Sequence, residues 1–266
     1  MLKIENVSKT FNIGTVNEKR VLENFNLELN EGDFVTIIGG NGAGKSTVLN
    51  LIAGVFPVDG GRILLDGVDI SLYPEHKRSK LIGRVFQDPM MGTAADMEIA
   101  ENLAMANRRG ARRGLSWGIR KDEKESFVNK LQTLELGLET RLHTKVGLLS
   151  GGQRQALTLM MATLQKPKLL LLDEHTAALD PKTATKVLVL TDEIVSEQNI
   201  TTFMVTHNMR DAIKYGNRLI MMHEGRIIFD ISGEDKKKLS IKDLLEKFEN
   251  AVGEELNDDA VLLANK

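Results

Sequence analysis

The chain has 266 residues, 42% of them apolar and 27% charged, an ordinary globular composition with ample core for one large domain or two modest ones. Lys+Arg 35 against Asp+Glu 37 leave a net charge of −2, too balanced to point to a nucleic-acid partner. The absence of cysteine excludes disulfides and thiolate metal sites and fits a reducing compartment, and no apolar run approaches the ~20 residues that cross a bilayer.

Met1-Leu2-Lys3-Ile4-Glu5-Asn6-Val7 is charged and alternating, so it reads as a first strand and not as a signal peptide. Strands are expected over Leu2–Val7, Val21–Leu29, Phe34–Ile38 and Arg62–Leu65, with turns at Glu31-Gly32 and Asp59-Gly60-Gly61. Between the strand Phe34–Ile38 and a helix over Thr47–Ala53, which Gly54 stops, stands Gly39-Gly40-Asn41-Gly42-Ala43-Gly44-Lys45-Ser46. It fits G-x-x-x-x-G-K-[ST] without a mismatch, in the strand–loop–helix context that the pattern needs. Glycines let backbone N–H groups turn inward around an anion. The helix N-terminus adds roughly half a positive charge. Gly39, Asn41, Gly42, Ala43, Gly44, Lys45, Ser46 and Thr47 are therefore expected to hold a nucleotide, with Lys45 on the β- and γ-phosphates and the Ser46 hydroxyl on Mg²⁺.

Residues from about Asp88 to Thr144 read as helical, with no convincing strand. Within them Arg108, Arg109, Arg112, Arg113, Arg120 and Lys121 surround Trp117; the stretch suits either a solvated connector or a docking surface for anionic headgroups or a membrane subunit. Ser150-Gly151-Gly152-Gln153 then opens an apolar, helix-forming run, Arg154 to Ala162. It is a plain Ser cap with a glycine hinge, or a second anion cradle. Lys168–Leu172, with four consecutive leucines and no alternation, reads as a strand buried on both faces. At its carboxyl end, where ligands bind in open α/β sheets, Asp173 would hold the Mg²⁺ shell and Glu174 would act as general base on water; the pair would equally suit the cap of the next helix. Further strands are expected over Thr201–Thr206, Arg218–His223 and Arg226–Ile231, with helices over Ala184–Glu197 and Met209–Tyr215 and a turn at Gly225. Ser240 and Asp243 start a last helix whose Ile241, Leu244, Leu245 and Phe248 should pack on the core. Glu254, Glu255, Asp258 and Asp259 make an acidic tail.

Two phosphate-binding ends with one evident nucleotide pocket imply a two-fold dimer, each Ser150 cradle closing on the γ-phosphate held by the other copy. These motifs, in this order, resemble the ATP-binding subunit of ABC transporters over about the first 230 residues. The resemblance implies an α/β fold: a P-loop (RecA-like) ABC ATPase core with an antiparallel β subdomain and an inserted helical subdomain. Its expected bounds are 1–87 and 160–232 for the core, 88–159 for the helical part and 233–266 for a C-terminal helix and tail. It makes Leu149-Ser150-Gly151-Gly152-Gln153 the signature that completes the opposite site, Gln87 the sensor of Mg²⁺ and γ-phosphate, His207 the switch histidine that orients Glu174, and Asp180 the link between the two sites. Phe11 falls where that family places a ring under adenine, though the same residue would serve as core. His175, where proline or alanine is usual, and Ala178, where serine is usual, depart from the pattern without removing a catalytic group.

The implied activity is hydrolysis of ATP, with Mg²⁺, in a homodimer that sandwiches ATP head to tail. Implied partners are integral-membrane permease subunits and an extracytoplasmic solute-binding protein, with the chain peripheral on the cytoplasmic face of the cell membrane. Val85 to Ala94 and Asp173 to Pro181 are similar to a bacterial uptake subgroup often assigned to tryptophan or tyrosine. Competing readings are an exporter ATPase, a soluble ABC-type ATPase acting in translation or DNA maintenance, and a regulatory module without turnover. The soluble ATPases usually carry two cassettes or a long coiled coil, whereas this chain has one glycine loop and no heptad run. The regulatory module would be expected to lack Glu174 or His207.

Overall fold

In a computed structural model of the chain, residues 1–111 and 118–252 are described. They fall into two compact units, one of Met1–Arg78 with the chain from Asn199 onward, the other of Ser79–Gln198. Arg112, Arg113 and Trp117 of the basic stretch, and the acidic tail with Glu254, Glu255, Asp258 and Asp259, lie outside the described residues.

The first unit begins with β1 (Leu2–Phe11) and β2 (Lys19–Leu29), antiparallel from Leu2 opposite Leu29 to Phe11 opposite Lys19. β1 runs four residues past its expected end. Register shifts absorb the irregular half, and Asp59 ties it down: its carboxylate accepts from the Thr10 N–H at 2.6 Å and from Lys9 Nζ at 2.7 Å. β3 (Phe34–Ile38) is buried throughout and leads into α1 (Lys45–Ala53), β4 (Gly60–Leu65), β5 (Val68–Asp69) and α2 (Glu75–Arg78). β5 was not expected. Asp66 and Gly67, both at positive φ (51° and 77°), make the two-residue hairpin turn that Asp-Gly favours. The antiparallel sheet has the order β2-β1-β4-β5.

The second unit holds β6 (Ile82–Val85), α3 (Ile99–Asn107), α4 (Lys121–Gln132), α5 (Gly151–Thr163), β7 (Leu169–Asp173) and α6 (Pro181–Gln198). β6 and β7 are parallel, Ile82 opposite Leu169 through Val85 opposite Leu172. β6 is too short and too close to Gln87 to show as a separate element in the sequence. The helices share a core built on Ile99, Leu103, Phe127, Leu131, Ala156 and Leu157. Helical spacing of these residues sets the faces that meet.

The chain then returns to the first unit through β8 (Thr201–Val205), α7 (Met209–Lys214), β9 (Arg218–His223), β10 (Arg226–Ser232), α8 (Gly233–Lys237) and α9 (Ile241–Val252). β3 lies between β8 and β9 and runs parallel to both, while β10 turns back antiparallel on β9. A strand flanked by two parallel neighbours is buried on both faces, which is why Phe34–Ile38 carries no alternation. Ser240 and Asp243 cap α9 reciprocally, and Leu244 and Phe248 are buried. None of the described helices is long and apolar enough to cross a membrane.

Candidate functional site

The glycine loop follows β3 directly. Gly39, Gly42 and Gly44 have φ of 154°, 79° and 97°, which residues with a Cβ adopt only under strain. At Gly39 a Cβ would stand 2.2 Å from the Met222 carbonyl oxygen, so the loop also needs glycine there for room. α1 starts at Lys45 behind an N-cap, Gly44, that has no side chain to occupy the first-turn N–H groups, and no acid stands in that turn. A helix start with no capping side chain and no acid in its first turn keeps the positive end of the helix dipole available to an anion. Lys45 is 5% exposed. Its Nζ donates to the carbonyl oxygens of Gly39 at 2.8 Å and Gly40 at 3.0 Å, so the amine is held inside the loop with its charge beside the cradle. The β9–β10 hairpin supports the loop from below, Gly225 N–H donating to Ala43 O at 3.0 Å. Ser46 is exposed on the first turn of α1, and Thr47 is half-buried beside it.

His207 leaves the carboxyl end of β8, where Thr206 N–H donates to Ile37 O at 3.1 Å. Parallel pairing thus brings the histidine to the end of β3 that feeds the loop. Phe11 closes β1. It is half-buried and meets Phe56 edge to face, ring centres 5.1 Å apart. Lys9 Nζ lies 5.5 Å from its ring centre.

In the second unit, the register Val85 opposite Leu172 carries Gln87 and Glu174 to the same end of the β6–β7 pair, two residues beyond each strand's matched pair. Sequence spacing says nothing of this; it follows from strand pairing. Asp173 ends β7 with its carboxylate 3.2 Å from Arg84 Nη2. Arg84 in turn lies over the Phe86 ring at 4.5 Å. A charged residue inside a short buried strand was the available signal for Arg84, and its partner was not readable from local pattern.

Ser150 caps α5: its hydroxyl accepts from Gln153 N–H at 3.3 Å, and Gln153 Oε1 accepts from Ser150 N–H at 3.2 Å. The glycines that follow are packed tightly. A Cβ on Gly152 would stand 2.1 Å from Thr183 Cγ2, and one on Gly151 3.2 Å from Leu179 Cδ2. Asp180 lies between those two contacts in sequence and accepts from Thr183 N–H at 3.1 Å. The Thr183 hydrogen bonds hold its carboxyl below the usual range. The second unit therefore gathers Ser150, Gly151, Gly152 and Asp180. Gln155, one turn into α5 and fully buried, donates from Nε2 to Phe86 O at 3.1 Å, which ties the signature helix to the residue before Gln87.

The Ser46 hydroxyl in the first unit, and the Gln87 amide and Asp173 carboxylate in the second, are each hard oxygen donors of the kind Mg²⁺ takes. Among the described residues no cluster of three or more His, Cys, Asp or Glu is set to hold a metal ion. Oxygen donors of this kind suit Mg²⁺, which takes one or two protein oxygens and completes its shell with phosphate and water.

A family model described as ABC transporter matches residues 22–177. A tyrosine transport ATP-binding protein of Clostridioides difficile (strain R20291) is 46% identical over 252 residues, 95% of this chain and 100% of that one. A spermidine/putrescine import ATP-binding protein of Pasteurella multocida (strain Pm70) is 33% identical over 231 residues, 85% of this chain but 57% of that one, so the chain spans little more than half of such relatives. Among solved structures, a dimeric ATP-binding cassette in a post-hydrolysis state bound to ADP and Pi matches with a TM-score of 0.75 at 30% identity, covering 87% of this chain and 98% of that one. An ATP-binding cassette of an ABC transporter in its ADP conformation matches with a TM-score of 0.76 at 28% identity, covering 96% and 99%.

Proposed function

This chain belongs to the ABC transporter family as an ATP-binding, ATP-hydrolysing subunit, and on that premise we propose that it drives uptake of an aromatic amino acid of the tyrosine class through separate permease subunits. The observation that carries this reading is the 46% identity to a tyrosine transport ATP-binding protein along that relative's whole length. The chain would sit on the cytoplasmic face of the membrane against the permease, with a solute-binding protein outside delivering cargo. The domain bounds expected above, 1–87 and 160–232 for the core and 88–159 for the helical part, remain part of this proposal.

The roles follow from chemistry. The N–H groups of Gly42 to Thr47 and the Lys45 ammonium bind the phosphates of ATP, with Phe11 against the base. Ser46, Gln87 and Asp173 hold Mg²⁺, which when bound neutralises charge on the phosphates. Glu174 accepts a proton from the attacking water, and His207 and Gln87 orient that water, a contribution typical of general bases of about 10²–10⁴ in rate. Ser150 to Gln153 of a second copy grip the same γ-phosphate, and Asp180 connects the two sites. Loss of the γ-phosphate removes the shared contacts and the copies part.

The test is transport. Cells lacking this chain should lose uptake of labelled tyrosine or tryptophan, and Glu174→Gln should fail to restore it. Uptake of both amino acids unchanged by the deletion would overturn the substrate assignment and leave the ATPase assignment standing.

A further inference from the structure

β7 ends at Asp173 and the chain changes direction in the next residue. Glu174 has φ 45°, a left-handed conformation that disfavours any residue with a Cβ and persists only where the surroundings hold it. On its far side, Glu174 O accepts from Ala177 N–H at 2.9 Å. That turn holds the carbonyl side of Glu174, and a left-handed backbone of this kind needs its neighbours held as well.

His175 supplies a second constraint. Its ring turns inward and is 2% exposed, while Glu174 beside it stays half-buried. His175 Nε2 lies 3.1 Å from Thr191 Oγ1. The Thr191 hydroxyl donates its own hydrogen to Val187 O at 2.7 Å. A hydroxyl has one hydrogen to give, so Thr191 accepts and His175 Nε2 carries the proton in that contact. The acceptor is seated in the third turn of α6, an 18-residue helix anchored by Val187, Leu188 and Val195. The imidazole thus tethers the residue after Glu174 to a rigid element.

We infer that the His175–Thr191 hydrogen bond is a positioning device that aims Glu174 through a buried imidazole. Fixing His175 inward fixes the direction in which Glu174 leaves the backbone. A general base misplaced by about 1 Å loses up to 10²-fold in rate, so a small release of the tether is read directly in turnover. The inference rests on Glu174 being the base.

Two pairs of variants test it in the full-length protein. Thr191→Val removes the acceptor at nearly constant volume; kcat should fall roughly 10- to 100-fold, with the KM for ATP and the affinity for a fluorescent ATP analogue unchanged. Thr191→Ser keeps the hydroxyl and should keep the rate. His175→Gln keeps a donor near the same place and should stay within a few-fold of wild type, whereas His175→Leu should lose as much as Thr191→Val. His175→Leu combined with Thr191→Val should lose no more than either alone, because both remove one interaction. Equal kcat in wild type, Thr191→Val and His175→Leu overturns the inference. If Thr191→Val fails to fold, equal kcat in His175→Gln and His175→Leu overturns it instead. Glu174→Gln run alongside separates the failures: a fully active Glu174→Gln removes the base itself, while an inactive one with unaffected tether variants removes only the tether's role.

Discussion

Arg84 Nη2 and Asp173 Oδ2 are 3.2 Å apart on adjacent parallel strands, with 13% and 17% of their side chains exposed. The pair is mostly out of water, so it is screened little and its loss is felt. The guanidinium is also stacked on Phe86 at 4.5 Å, so it joins the strand end that carries Gln87 to the one that carries Glu174. Arg84→Met should destabilise by about 1–3 kcal/mol, a fall in Tm of roughly 3–10 °C. Arg84→Lys keeps the charge but loses the planar face and should fall between. Thermal unfolding of the three proteins checks the order; a Met variant as stable as the Lys variant would leave the charge without a role.

Arg78 is the largest fully buried side chain of the first unit, 1% exposed. Its guanidinium donates to the carbonyl oxygens of Leu51 (2.6 Å) and Ile52 (2.9 Å) at the end of α1, and of Ser71 (2.9 Å) and Tyr73 (2.8 Å). Burial pushes its pKa below the ordinary arginine value, and the four carbonyls are what make the buried charge tolerable. Arg78→Met takes the guanidinium from the Ile52, Ser71 and Tyr73 carbonyls and leaves the Leu51 carbonyl with the longer Gly54 N–H bond at 3.3 Å, and should cost about 3 kcal/mol. Urea unfolding followed by circular dichroism measures it. Arg78→Lys should recover little, because one ammonium cannot span acceptors on two segments.

Local chemistry was legible in the sequence, and pairing across distance was not. Gly39 to Ser46 showed because its pattern is set within the loop itself: positive φ at Gly39, Gly42 and Gly44, a charge at Lys45 and a helix that begins there. Ser150 showed as a helix cap for the same reason, though its reciprocal bond with Gln153 did not, and the alternation of Leu2 and Ile4 with Lys3 and Glu5 displayed the start of β1. The level placement of Gln87 and Glu174 did not show, since it comes from the β6–β7 register, and the four-residue β6 carries no periodicity of its own. Burial of His175 was equally hidden, because its partner, Thr191, lies sixteen residues on in another element.

That burial has a pH signature in the metal-free, nucleotide-free protein. Removal from water pushes the His175 pKa from 6.5 down to about 4. Below pH 6.5 the unfolded chain takes up a proton that the native site refuses, so the unfolded state is favoured. The contribution of a neutral His175 is therefore complete above about pH 6.5 and is lost as pH falls toward about 4, amounting to roughly 3 kcal/mol. Other groups also titrate there, so the measurement is a difference. Unfolding free energies of wild type and His175→Gln, compared in EDTA from pH 7 to pH 4, should converge or cross as pH falls. A difference independent of pH would mean that the native ring takes up protons as readily as the unfolded one.

Gly152 is the tightest point of the signature. A Cβ there would stand 2.1 Å from Thr183 Cγ2 but 3.9 Å from Thr183 Oγ1, so the clash belongs to one methyl group. Thr183 is not free to rotate away without cost, because its backbone N–H is held by Asp180 at 3.1 Å and β-branching limits its χ1. Gly152→Ala should destabilise by about 1–3 kcal/mol through overpacking. Gly151→Ala, whose Cβ would meet only the movable end of Leu179 at 3.2 Å, should cost well under that. Thr183→Ser removes the methyl and keeps the hydroxyl, so Gly152→Ala combined with Thr183→Ser should regain most of the loss. This is a coupling between neighbours that a double-mutant cycle of thermal stabilities resolves. A double variant no more stable than Gly152→Ala alone would place the strain somewhere other than that methyl group, and with it the reason for glycine at this position.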